Sequence, residues 1–129
     1  MLKKLFTLLL FAIVLMAFNK SSNAQSMYFC EGVSSDGYPI TESTVFNIGS
    51  GGGYLYILVR LPYEVACRSV RFEIYRNGRY DNTIYMDTEK NWYWFWKQVT
   101  FYDSGNYEVY CYDCFDYLLT SGKVRINFR

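Results

Sequence analysis

The chain has no histidine among its 129 residues, and that absence excludes a wide range of chemistry. Ser-His-Asp and Cys-His catalysis, His-ligated zinc and the commonest proton shuttle near neutral pH are all removed. Charge is also scarce, with 13 basic and 12 acidic residues and a formal net charge of +1. Without a basic surplus there is no electrostatic footprint for nucleic acid. Only two prolines occur, and no Pro-rich or Ser-rich linker, internal repeat or charge run divides the chain. After residue 24 no segment shows a sustained helical stripe. The glycine run Gly49 to Gly53 lacks a following Lys-Ser/Thr pair and precedes a strand pattern, so it reads as a connection and not as a phosphate loop.

What is present is apolar and aromatic: 51% hydrophobic and 21% aromatic residues, enough to exclude disorder and to build one domain. The chain opens with Lys3 and Lys4, followed by a run from Leu5 to Phe18 in which only Thr7 is polar. A membrane-spanning helix needs about 20 apolar residues, so this run has the length of an export signal. Ser22-Asn23-Ala24 places small residues three and one before a cut, which predicts a cleaved signal peptide over 1–24 and a single mature domain over 25–129. No cysteine near the cut offers a lipid-anchor acceptor, so the mature chain is expected in the periplasm or outside the cell, not inserted in a membrane. Losing Lys3, Lys4 and Lys20 leaves ten basic residues against twelve acidic ones, a net charge of about −2.

Cys30, Cys67, Cys111 and Cys114 all follow the cut, an even number in a chain bound for an oxidising compartment. Two disulfides are the expectation, with three connectivities open. The spacing Cys111-Tyr112-Asp113-Cys114 is too tight to bridge internally without a special turn, which favours Cys30 and Cys67 each reaching one member of that pair. A thioredoxin-like redox pair needs a helix start, and Cys111 follows a strand pattern instead. A four-thiolate zinc site is disfavoured by the wide separation of Cys30 and Cys67, so no metal is expected.

Period-two alternation of β-branched and aromatic residues recurs along the chain. It predicts strands at Met27–Val33, Val45–Ile48, Tyr54–Leu61, Val70–Tyr75, Arg79–Met86, Trp92–Tyr102, Asn106–Tyr112 and Lys123–Phe128. Asn77-Gly78 between the fourth and fifth suits a type I′ hairpin turn, because both residues tolerate positive φ. Seven or eight short strands in about a hundred residues describe an all-β antiparallel sandwich.

Asp103-Ser104-Gly105-Asn106-Tyr107 resembles the Asp-x-Gly/Ala-x-Tyr turn of immunoglobulin-like domains. The resemblance implies an immunoglobulin-like sandwich with Tyr107 as the tyrosine corner leading into strand F. It does not extend to the inter-sheet disulfide of antibody domains, since Val109 stands where that cysteine would be. On this topology Cys30, Cys67, Cys111 and Cys114 would gather at one pole of the sandwich. Such scaffolds serve adhesion, carbohydrate binding, chaperoning and spacing, so the fold alone selects no activity.

The most distinctive segment is Asn91 to Lys97, which holds all three tryptophans. In a strand Trp92, Trp94 and Trp96 share one face, and Tyr93 and Phe95 the other. Val99 and Phe101 continue the phase of Phe95, which turns the tryptophans outward as a row suited to stacking sugar rings or a protein partner. One bulge between Trp96 and Val99 would instead bury them. The loop from Cys111 to Ser121 is the second candidate surface. Asp113 and Asp116, with Glu31 and Asp36 near the same pole, could form an acid pair or a weak calcium site, but their spacing matches no calcium loop and they read as solvated turn formers. No catalytic residues and no cofactor are expected. The expected function is that of an exported, non-enzymatic binding or interaction module with a protein or glycan partner. A carbohydrate-binding module using the tryptophan row, or a structural or assembly protein of the cell envelope, is the alternative.

Overall fold

A computed structural model describes residues 26–129, and the expected signal peptide with its cut after Ala24 lies outside the described residues. Nine strands make up the described part: β1 (Ser26–Val33), β2 (Pro39–Glu42), β3 (Val45–Ile48), β4 (Gly53–Arg60), β5 (Ser69–Arg76), β6 (Arg79–Asp87), β7 (Trp94–Phe101), β8 (Gly105–Tyr112) and β9 (Leu118–Phe128). They form a four-stranded sheet in the order β2-β1-β4-β7 and a five-stranded sheet in the order β3-β9-β8-β5-β6. Every neighbouring pair is antiparallel except β3 and β9, which run parallel.

The alternation that marks the strands also builds the core. Val70, Phe72 and Ile74 of β5 are buried, as are Tyr107, Val109 and Cys111 of β8, while their neighbours in sequence face outward. Leu55, Ile57 and Val59 of β4, with Phe95, Val99 and Phe101 of β7, meet them from the four-stranded sheet. Phe72 and Phe95 touch edge to face with centroids 6.5 Å apart. Side chains of this size each contribute about 1.5–3 kcal/mol when fully removed from water.

Turn chemistry behaves as the sequence predicts at β5–β6. Asn77 and Gly78 adopt φ of 51° and 81°, the positive values of a type I′ turn. Asn77 also ties this hairpin to β8, donating its N–H to Asn106 O at 2.7 Å and accepting the Asn106 N–H on Oδ1 at 2.9 Å. At the β7–β8 connection the Tyr107 hydroxyl donates to Asp103 O at 2.7 Å.

Three expectations about the strands need correction. The strand count is nine and the pairing is mixed, not purely antiparallel. β2 is only four residues long and begins at a proline, so it carries too short an alternation to register as a strand. The last strand begins at Leu118 because Gly122 lies inside it: a Cβ there would stand 2.9 Å from Phe29 and 3.2 Å from Met27, so this glycine permits the close approach of β1.

The cysteines do not form two disulfides. Cys67, between β4 and β5, bonds Cys114, between β8 and β9, whereas Cys30 and Cys111 are buried free thiols. The reason is the face each thiol occupies. Cys111 points into the core from β8, but Cys30 alternates with core-facing Phe29 and points to the outer side of the other sheet, where its Sγ donates to Tyr56 O at 3.5 Å. Cys30 and Cys111 are also placed along their strands, so only Cys67 and Cys114 occupy the loop end.

Candidate functional site

Strand register decides where the tryptophans go. β7 pairs with β4 over its whole length without a bulge, setting Trp94 opposite Arg60, Trp96 opposite Leu58 and Gln98 opposite Tyr56. Phe95, Val99 and Phe101 are buried, so Trp94 and Trp96 lie on the outer face of the four-stranded sheet. That face is aromatic and largely covers its own centre. Tyr56 meets Trp96 edge to face at 5.2 Å and Tyr54 at 6.1 Å, and Leu58 and Cys30, paired in register with Trp96 and Tyr56, are fully buried.

The three tryptophans are not equivalent. Trp96 is 43% exposed, and Trp94 is half-buried beneath the turn that joins β1 to β2. Gly37 in that turn lies against the Trp94 indole, and Arg60 holds the turn by donating to Gly37 O and by stacking 4.2 Å above the Tyr38 ring. Trp92 lies before β7 and is 38% exposed. Its segment is fixed by backbone bonds to the β4–β5 loop: Leu61 N–H to Tyr93 O at 2.7 Å, Val65 N–H to Trp92 O at 2.8 Å and Ala66 N–H to Lys90 O at 2.9 Å. Because Tyr93 precedes the strand it is exposed, not core-facing with Phe95.

Trp92, Trp94 and Trp96, with Asn91 and Met86, line a groove of about 590 Å³. Met86 belongs to β6, the edge of the other sheet. A second hollow of about 540 Å³ continues from Met86 and Trp96 to Tyr85, Asp87, Lys97 and Gln98. A third, of about 290 Å³, runs from Gln98 to Asp81, Asn82, Tyr102 and Asp103. Together they follow the side of the sandwich where β6 and β7 lie as neighbouring edges. Nothing in the β6 sequence signalled this role, because its apposition to β7 is non-local.

The second candidate surface has a structural explanation. Asp113 Oδ1 accepts the Phe115 and Tyr117 N–H groups at 2.8 and 3.0 Å, capping its own turn. Arg71 pairs with Asp116 at 2.6 Å and stacks 4.5 Å from the Tyr112 ring, beside a hollow of about 340 Å³. Glu31 and Asp36 do not join Asp113 and Asp116, and no group of three or more metal-ligating side chains occurs among the described residues. Around the disulfide, the buried Thr88 hydroxyl donates to Cys67 O at 2.6 Å. Burial pushes the Cys111 thiol up to about 12, with the Asp113 carboxylate adding to the rise, so it stays protonated and unreactive. Cys30 is shifted upward as well, again chiefly by burial.

No family model matches the chain, and no curated protein matches it. Among solved structures it is similar to a superoxide reductase (neelaredoxin) from Ignicoccus hospitalis, with 12% sequence identity over 78% of this chain and 83% of that one. The TM-score is 0.41, and a likeness at that level carries no argument about activity.

Proposed function

We propose that this protein is an exported, non-enzymatic binding module on an immunoglobulin-like scaffold, with the groove at Trp92, Trp94 and Trp96 as its recognition surface. The observation that carries the reading is the groove itself. Its indoles come from a strand and a backbone-tied loop, so the aromatic surface is held in place before any ligand arrives. The immunoglobulin-like assignment is supported by the Tyr107 to Asp103 bond and by a sheet in which β3 adds in parallel to β9 beyond β8, β5 and β6. The Cys67–Cys114 bond is consistent with an oxidising, exported location.

A carbohydrate ligand is the second reading, favoured by Asn91, Asp87 and Gln98, whose planar polar groups line the same hollows as the exposed indoles. Tryptophan emission tests both readings during titration with soluble polysaccharides and with extended peptides. A saturable shift that is lost in Trp96→Ala supports the binding module. No shift with either class of ligand overturns it.

A further inference from the structure

The four sheet edges are not equally guarded. β2 and β3 are four residues each, too short to template much pairing. β6 carries a bulge: Tyr75 faces Tyr80 and Ile74 faces Asn82, leaving Asp81 as an extra residue that interrupts the edge. β7 is neither short nor bulged, and its one guard is the mid-strand Lys97, in phase with core-facing Phe95 and Val99. It is eight residues long, in unbroken register with β4, free of proline and glycine, and carries one charge, Lys97. No strand lies on its other side among the described residues. An edge of this kind presents a row of unpaired backbone N–H and C=O groups about 26 Å long.

From this long, unbulged edge we infer that β7 takes an extended peptide strand from a basic partner, laid along the seam between β7 and β6. The inference rests on the binding-module reading and names its partner class. Charge selects the partner. Asp81, Asp87 and Asp103 line the seam against Lys97, so it is net negative. A second copy of this chain would bring two such seams together, whereas a strand with lysine or arginine facing the seam would be complementary. Alternation then fixes the pattern. Residues of the added strand that point to the outer face lie beside Trp94 and Trp96 and would be apolar. Those between would point to the β6 side, where Asp81, Asp87 and Asp103 outnumber Lys97, and would be basic.

The probe is the peptide acetyl-Val-Lys-Val-Lys-Val-Lys-Val-amide, titrated into the purified protein while tryptophan emission and amide hydrogen exchange are followed. The expected result is a blue shift with slowed exchange in β7. Replacing the lysines by glutamate should weaken binding about tenfold or more. Asp87→Asn, at an exposed position, should weaken the lysine peptide by up to about fivefold, the size of one exposed charge pair. N-methylation of the peptide backbone along one edge should abolish binding, and along the other edge leave it intact.

Failure of the lysine peptide to bind at millimolar concentration overturns strand addition, as does equal binding of the glutamate peptide or equal tolerance of both N-methylated forms. A free protein that sediments as a dimer with β7 amides already protected also overturns it, in favour of a second copy. If a polysaccharide shifts Trp96 emission without protecting β7 amides, strand addition falls while the binding-module reading stands.

Discussion

Gly37 lies flat against the Trp94 indole, so close that a Cβ at position 37 would overlap the ring. The contact fixes how much of the aromatic face remains free, because the turn that carries Gly37 shields Trp94 and leaves Trp96 as the most exposed of the three indoles. Gly37 also has φ of +81°, a conformation that costs a residue with a side chain about 1–2 kcal/mol. Gly37→Ala therefore combines backbone strain with a steric clash, and should lower unfolding free energy by about 2–4 kcal/mol. Urea denaturation measures it. A loss below 0.5 kcal/mol would mean that the turn does not pack on Trp94.

Thiol counting tests the cysteine arrangement. The native protein should react with almost no thiol reagent, because Cys30 and Cys111 are buried. Unfolded without reductant it should expose two thiols, and after reduction four. Reducing Cys67–Cys114, which spans 47 residues, should cost about 4 kcal/mol on the chain-entropy estimate. No free thiol in the unfolded, unreduced protein would establish a second disulfide and displace Cys30 from its present face.

Cys111 makes stability depend on alkaline pH. Its folded value of about 12 lies above the ordinary thiol value of 9.0. Between these values the folded chain holds a proton that the unfolded chain has released. The contribution is therefore fully present below pH 9 and is lost as pH rises toward 12. Other groups titrate in the same range, so the comparison is with Cys111→Ala, whose stability should fall less steeply there. Parallel pH profiles for the two proteins would remove Cys111 as the cause.

Local patterns in the sequence carry the strands and the direction of the tryptophans. Val70, Phe72 and Ile74 announce a half-buried strand, Asn77-Gly78 announces its turn, and the phase shared by Phe95, Val99 and Phe101 turns Trp94 and Trp96 outward. Contacts between distant segments leave no such trace. Met86 and Asp87 enter the seam only because β6 and β7 become neighbouring edges, and Gly122 reads as a strand breaker until Phe29 is seen to need its space. The face occupied by Cys30 follows from β1 pairing with β4, which cysteine spacing does not encode.

The opposite phases of Phe95 and Trp96 give adjacent residues different energetic roles. Phe95 is 2% exposed and packs on Phe72 across the sandwich, so Phe95→Ala should cost about 3–5 kcal/mol through lost burial and a cavity. Trp96 is larger but 43% exposed, and it meets Tyr56 edge to face. Trp96→Ala should cost about 1–3 kcal/mol, less than Phe95→Ala. Chemical denaturation of the two variants measures the contrast directly. If Trp96→Ala proved the more destabilising, the tryptophans would belong to the core, and the groove would lose its standing as a recognition surface. The predicted order also makes Trp96→Ala a clean probe of binding, since a variant that folds normally and no longer responds to ligand has lost recognition alone.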